Sequence, residues 1–192
     1  MTTPQEELPT DPSSARVATA AKVLTHAADL FAERGPAATS LRDIAARSGV
    51  NQGLIFRHLG NKDQLVGAVL DHVAHELASA RAAGVDESAM EAMIERQWKV
   101  LARTVLDGFD PGQLQQRFPT VSALVDRYRD CHASEADTRI AVAHSVALGL
   151  GWRLFSPFLR AAAGLEDFSE DELRRVAQMQ SIRILSGADD PT

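Results

Sequence analysis

The amino-acid sequence predicts an all-α fold, and three observations support this. The 192-residue chain is 45% hydrophobic but only 5% aromatic, with alanine and leucine as its main apolar residues, a composition that favours helices over sheets. Apolar side chains recur at three- and four-residue spacing along most of the chain. No segment shows the strict alternation of apolar and polar residues that is typical of a strand.

The first predicted helix covers residues 15–35. Its apolar residues at helical spacing are Val17, Ala21, Leu24, Ala28 and Phe31, and the pair Gly35-Pro36 is expected to end it. Residues 1–14 contain three prolines and several serines and threonines, so they are interpreted as a flexible tail.

Residues 39–62 have the pattern of two short helices joined by a tight turn. Ser40 and Asp43 have the spacing of a capping box for the first of these helices. Gly49 follows where a turn needs a residue that tolerates positive φ, and Val50 and Ile55 are expected to return the chain to the core. This spacing is that of a helix-turn-helix, whose second helix enters the major groove of DNA. The sequence therefore predicts a protein that binds double-stranded DNA.

The rest of the chain predicts further helices separated by glycine-containing breaks. A long helix with Pro157 inside it is expected near the C-terminal end, and Ser169 with Glu172 forms a second capping-box pattern. The long helix is apolar nearly all round, which is typical of a helix buried on more than one side. The predicted segments are helices at 62–83, 88–106, 119–131, 136–163 and 169–187, with a loop at 108–112.

Charge is distributed unevenly along the chain. The net charge is −6, but residues 13–75 carry seven basic and five acidic side chains, so the region of the helix-turn-helix is slightly positive and compatible with DNA. Cys131 is the only cysteine, which excludes an intrachain disulfide. No signal peptide is recognised at the N-terminus, and the apolar run 140–159 is too short to span a bilayer. A cytoplasmic protein located at the nucleoid, with no membrane partner, is expected.

Several short motifs occur in the same order as in a known family. They are Leu30-Phe31-Ala32-Glu33-Arg34-Gly35, Thr39-Ser40, Ile44-Ala45, Gly49-Val50, Phe56-Arg57-His58 and Asn61-Lys62. This third of the chain resembles the N-terminal domain of the TetR (tetracycline-repressor-like) family of bacterial regulators. Two residues differ from the family pattern: Phe56 stands where tyrosine is usual and lacks the hydroxyl for a phosphate, and Leu59 replaces a phenylalanine.

The resemblance implies a two-domain arrangement and a regulatory function. Residues 15–62 would form the DNA-binding domain, and residues 63–192 a helical domain for effector binding and dimerisation, with helix 62–83 connecting the two. The last two helices would pair with those of a second copy in a homodimer. The expected function is a transcriptional regulator, a repressor that a small molecule releases from a near-palindromic operator.

Candidate DNA contacts lie at the beginnings of the helices and along the second helix of the motif. Asn51 and Gln52 carry amides that can pair with adenine, and Lys62 resembles a phosphate-binding lysine of the family. Structural alternatives stay open: Asn51 can cap a helix, Phe56 and Leu54 can be core residues, and the dipole of the helix favours a histidine at its C-terminal end. The full set is Thr39, Ser40, Arg42, Asn51, Gln52, Gly53, Leu54, Phe56, Arg57, His58 and Lys62.

Candidate effector contacts are the large or polar side chains of the C-terminal part. For each of them taken singly, an ordinary core role is favoured over contact with an effector. No charged cluster stands out, so an apolar or amphipathic effector is expected. The candidates are Trp98, Phe109, Phe118, Tyr128, His132, His144, Trp152 and Phe155.

Catalytic and metal-binding patterns are weak. His72 and His75, with Glu76 beside them, are the candidates for a metal site. No third ligand lies at useful spacing, so two exposed histidines are the simpler interpretation. Cys131 and His132 are neighbours whose side chains point apart on a helix. No enzyme activity, cofactor or metal is therefore expected. The alternative to a regulator is a helical module that binds a small molecule or a protein partner and whose DNA binding is weak or vestigial.

Overall fold

The computed structural model describes residues 12–187, and the side chains of 15–187. All regular structure in this range is helical, which confirms the predicted all-α class. None of the helices there is long and apolar enough to cross a membrane. The elements are α1 (Pro12–Arg34), α2 (Leu41–Ser48), α3 (Gln52–Leu59), α4 (Lys62–Ala82), α5 (Glu87–Leu106), α6 (Pro111–Leu114), α7 (Pro119–Tyr128), a 3-10 turn (Arg129–Cys131), α8 (Glu135–Ala163) and α9 (Glu170–Ser186).

Helix α1 begins inside the segment that was interpreted as a tail. Its first residue is Pro12, and proline suits the first turn of a helix because that turn leaves its N–H groups unpaired in any case. Residues 1–11 of the predicted tail lie outside the described residues.

The chain divides into two compact units. The first comprises Met1–Glu76 with Lys99–Arg117, and the second comprises Leu77–Trp98 with Phe118–Thr192. Helices α4 and α5 each contribute residues to both units. The functional boundary after residue 62 stays a prediction.

The core of the first unit is formed by α1 to α5. Its largest fully buried side chains include Phe31, Ile44, Ile55 and Leu65. Val17 belongs to the apolar spacing of α1 but is 68% exposed. The apolar spacing of α1 begins before the part of the helix that has neighbours to pack against, and a periodic pattern alone does not reveal that limit.

The predicted capping signals are confirmed. Ser40 Oγ accepts the N–H of Asp43 at 3.1 Å, and Asp43 accepts the N–H of Ser40 at 2.8 Å. Ser169 and Glu172 form the same reciprocal pair at the start of α9. Gly49 ends α2 with φ of +69°, a conformation that costs other residues energy.

Two segments differ from the sequence prediction. The predicted loop at 108–112 contains the start of the short helix α6, because the Asp110 side chain caps it at the Gly112 N–H (2.9 Å) and Pro111 presets its first φ. The predicted helix at 119–131 is α-helical only to Tyr128 and continues as the 3-10 turn.

In the second unit, α8 packs along α9. Buried residues of α8 include Val142 and Thr138, and those of α9 include Leu173 and Leu185. Within one chain, large apolar side chains of α8 are exposed, so the alternative of a central core helix in a monomer is not supported and burial of α8 on more than one side stays a prediction for the dimer. The apolar surface of α8 exceeds what the described part of the chain covers. The exposed residues are Ile140, Phe155 and Phe158.

Candidate nucleic-acid interface and effector cavity

Helices α2 and α3 form the predicted helix-turn-helix. Ile44 of α2 and Ile55 of α3 are fully buried in the core of the first unit. Ile55 is the only fully buried residue of α3, and Leu59 is half-buried against the same core. The other residues of α3 are exposed.

The candidate residues on α3 are all exposed. Phe56 is 58% exposed, which excludes the core alternative for its ring, and Leu54 is partly exposed. The Asn51 side chain caps α3, because its Oδ1 accepts the N–H of Gly53 at 2.8 Å. The capping alternative for Asn51 is therefore present in the structure. The exposed set is Asn51, Gln52, Gly53, Leu54, Phe56, Arg57 and His58.

The candidates at the start of α2 fall into two environments. Ser40 and Arg42 are exposed. Thr39 is only 3% exposed, and its hydroxyl donates to the carbonyl of Gly35 at 2.8 Å. The Thr39 hydroxyl therefore serves the turn after α1, and the Ser40 hydroxyl donates to Asp43 Oδ2 at 2.8 Å within the capping box.

The ammonium group of Lys62 contacts other residues of the first unit. The Nζ donates to the carbonyl oxygen of Thr39 and lies 5.1 Å from the centroid of the Phe31 ring. Burial lowers the pKa of Lys62, and the nearby carboxylates of Asp107 and Asp43 oppose that effect. The side chain thus links the start of α4 to α1 and to the turn before α2.

A residue that sequence reasoning missed supports the same turn. The Asp107 carboxylate accepts the N–H of Ala37 at 2.7 Å, and Arg103 donates to the carbonyl of Ala32 at 3.0 Å. These partners are about 70 positions apart in the chain. The spacing of residues within a helix does not predict contacts between residues so far apart in the sequence. These contacts are visible only in the folded first unit.

The effector candidates do not form one cluster. Phe109 packs against the core of the first unit, whereas the other seven belong to the second unit. Phe118 and Phe155 are exposed. His132 and His144 share a cavity of about 590 Å³ with Cys131, Ala133, Asp137, Ala141, Gln180, Arg183, Ile184 and Gly187.

The candidate metal ligands have ordinary structural roles. His72 Nε2 lies 3.0 Å from Thr25 Oγ1 and 3.2 Å from Glu76 Oε1. The interpretation of His72 as an exposed histidine is wrong, since its side chain is only 13% exposed. His75 is exposed, as expected. Within residues 12–187, no group of three or more histidine, cysteine or acidic side chains is arranged to hold a metal ion.

Comparison with known proteins agrees with this geometry. The family model described as "Bacterial regulatory proteins, tetR family" matches residues 23–69, which contain most of α1, the helix-turn-helix and the start of α4. The HTH-type transcriptional repressor Rv3405c of Mycobacterium tuberculosis is 54% identical over 166 residues, which are 86% of this chain and 88% of the relative.

More distant relatives match just under half of the chain. The HTH-type transcriptional repressor KstR2 of Rhodococcus jostii is 32% identical over 98 residues, 48% of each chain. The HTH-type transcriptional regulator TtgR of Pseudomonas putida is 37% identical over 92 residues, 46% of this chain and 44% of the relative. The exposed helix α3, the family match and the extended similarity agree, and this chain belongs to the tetR family of bacterial regulatory proteins as a DNA-binding transcriptional regulator.

Proposed function

We propose that this chain is a homodimeric repressor that binds a near-palindromic operator through helix α3 of each protomer. The observation that carries the proposal is that α3 is held by one buried residue, Ile55, and exposes the others that can reach bases and phosphates. Gln52 stands at the first position of α3, where side chains of a recognition helix contact base edges. The 54% identical relative is named a repressor.

The apolar surface of the last two helices supports the homodimer. Large hydrophobic side chains on both helices are about half exposed or more, and exposed apolar side chains of this number are typical of protein interfaces. A second copy is the expected occupant because two half-sites of a palindrome require a two-fold axis. The residues are Ile140, Phe155 and Phe158 on α8 and Val176, Met179 and Ile182 on α9.

The second unit is the proposed place for a small effector. The cavity next to His132 and His144 is large enough for a small molecule, and its lining mixes apolar side chains with Asp137 and Arg183. His132 already donates to the carbonyl of Leu185 at 2.9 Å. An amphipathic effector fits this lining best, and its binding would weaken operator binding reciprocally. The proposed site of action is the nucleoid, in the cytoplasm.

Selection of random double-stranded DNA by the purified protein tests the proposal. The expected result is a near-palindromic consensus whose affinity falls steeply with salt. Enrichment of no sequence would contradict operator binding by the isolated protein. The consensus duplex then serves as the probe for the variants below.

Gln52→Ala is the most direct single substitution to test whether α3 contacts a base. We expect an affinity loss of roughly 1–3 kcal/mol on the consensus duplex and relaxed preference at one position per half-site. Gln113→Ala, at an exposed glutamine of α6, is the matched control and should change neither. An unchanged consensus with Gln52→Ala would remove this residue from the proposed interface.

A further inference from the structure

A groove separates the first turns of α1 from α3 in the first compact unit. Its volume is about 350 Å³, and none of the side chains of residues 15–187 that line it is acidic. Three of its residues belong to α3, and the other three belong to α1, outside the helix-turn-helix. The lining residues are Ala15, Arg16, Thr19, Leu54, Arg57 and His58.

The arginines of residues 15–62 fall into two groups. Two of them are held within the unit, Arg34 by Asp43 at 3.1 Å and Arg47 by Glu33 at 2.6 Å. These pairs lower the pKa of Glu33, mainly through the hydrogen bond from Arg47. The others have no hydrogen-bond or ion-pair partner among the side chains described, those of residues 15–187, and they are Arg16, Arg42 and Arg57.

Two of these three arginines are already candidate DNA contacts, and the third lines the same groove as one of them. Arg16 and Arg57 bring two positive charges to a groove to which no described side chain contributes a carboxylate, an arrangement that favours the binding of an anion. Guanidinium groups match phosphate oxygens in geometry as well as in charge. The Thr19 hydroxyl donates to the carbonyl of Ala15 at 2.8 Å, so the arginines supply the donors for an anion.

The position of the groove along α3 indicates which part of DNA it meets. Arg57 and His58 are in the last turn of α3, whereas residues at the start of a recognition helix contact base edges. Since the groove includes this far end of α3, a backbone phosphate is the anion that it would meet in a complex with the start of α3 at the bases. We propose that Arg16 of α1 binds a backbone phosphate of the duplex together with Arg57 in this groove. The proposal rests on the proposed DNA binding by α3.

Salt dependence of binding tests the phosphate contact. Affinity is measured for the full chain, for Arg16→Ala and for Arg16→Lys, on the consensus duplex and on a random-sequence duplex of equal length. Arg16→Ala should lower the slope of log affinity against log salt by about 0.9 per protomer and weaken binding about threefold on both duplexes. Arg16→Lys should keep the slope, because the positive charge remains.

Arg81→Ala is the matched control, since Arg81 is an exposed arginine of the second unit. An equal fall in slope with Arg81→Ala would overturn the proposal, because the effect would then be one of net charge. Unchanged slope and affinity with Arg16→Ala would also overturn it, as would an affinity loss confined to the consensus duplex. A wild-type protein without salt-sensitive DNA binding would instead contradict the proposed function itself.

Discussion

Lys62 acquires a different role in the folded unit from the one its sequence position implies. The resemblance to the family implies a phosphate contact, but the ammonium group bonds to the Thr39 carbonyl and lies over Phe31. Desolvation of a cation is offset when it gains a carbonyl acceptor and an aromatic face. The side chain therefore holds the turn before α2 in place, and its effect on DNA binding is expected to pass through that turn.

Replacement of Lys62 by methionine separates these two roles. Lys62→Met keeps an apolar side chain beside Phe31 but removes the charge and the donor to Thr39. We expect a lower free energy of unfolding by roughly 1 kcal/mol and weaker operator binding with an unchanged salt slope. Denaturant titration and binding at several salt concentrations measure both quantities.

Arg57→Ala provides the comparison for Lys62→Met. Arg57 is exposed, so its loss should lower the salt slope by about 0.9 per protomer and leave stability nearly unchanged. A fall in slope of the same size with Lys62→Met would show that Lys62 contacts a phosphate directly.

Glu91 gives the second unit a pH dependence that can be measured. Arg153 donates to both carboxylate oxygens of Glu91, one of them at 3.0 Å, and this hydrogen bonding holds the pKa of Glu91 below its usual value. A carboxyl whose pKa is lower in the folded state stabilises the fold above its unfolded pKa of about 4.3, and this stabilisation is lost as pH falls further.

The expected result is that Glu91→Gln lowers the thermal midpoint at pH 7 and that the difference from wild type shrinks below about pH 4. Thermal unfolding at a series of pH values measures this. Glu87→Gln, at an exposed carboxylate of the same helix, should not show the same pH-dependent difference. A constant difference at all pH values would mean that the amide disturbs packing and that the ion pair is not the cause.

At the scale of elements, the short helix α6 lies against α4 through a glycine. A Cβ built on Gly67 would collide with the carbonyl oxygen of Leu114 and lie 3.1 Å from its carbon. Gly67 is buried, so neither backbone has free space to move into. The close approach requires a residue without a side chain at position 67.

Gly67→Ala should therefore destabilise the protein by roughly 1–3 kcal/mol, the usual cost of overpacking. Gly149→Ala is the matched control, because that glycine is also within a helix and a Cβ there meets no atom within 4 Å. The control should stabilise by roughly 0.5–1 kcal/mol through the lower entropy of the unfolded chain. Equal effects of the two variants in denaturant titrations would contradict the contact between α4 and α6.

The elements also show what local sequence could predict. Ser40 with Asp43, Gly49, and Ser169 with Glu172 act within one turn of the backbone, so their spacing alone located the helix ends. Helix α6 was missed because one turn of helix leaves no periodicity to detect. The buried Thr39 and the internal role of Lys62 depend on neighbours from α1 and α4, which spacing does not contain.

At the scale of the whole molecule, the first compact unit contains a segment that no local pattern assigned to it. Lys99–Arg117 belongs with Met1–Glu76, and the bonds from Asp107 to Ala37 and from Arg103 to Ala32 help to hold it there. The all-α class could be predicted from composition and apolar spacing because both are local properties of short sequence segments. The grouping of distant segments depends on tertiary contacts, and the sequence prediction did not contain it.

The exposed apolar surface of α8 and α9 gives a prediction about the assembly. Phe158 is 67% exposed, so its replacement by glutamate costs one chain little, whereas a charge buried in an isologous interface meets its own copy and is strongly unfavourable. Phe158→Glu should sediment at the mass of one chain, and wild type at the mass of two. Its affinity for the palindromic duplex should fall, and its affinity for a single half-site should not change.

Leu106→Glu is the control for the added charge, because Leu106 is 83% exposed at the end of α5 and lies outside the proposed interface. It should remain a dimer and keep its affinity for the palindrome. A wild-type protein that sediments as one chain at the concentrations used for DNA binding would contradict the dimer. A Phe158→Glu variant that remains dimeric would contradict the assignment of Phe158 to the interface, since two glutamates cannot replace apolar contacts across a two-fold axis without loss of affinity between the protomers.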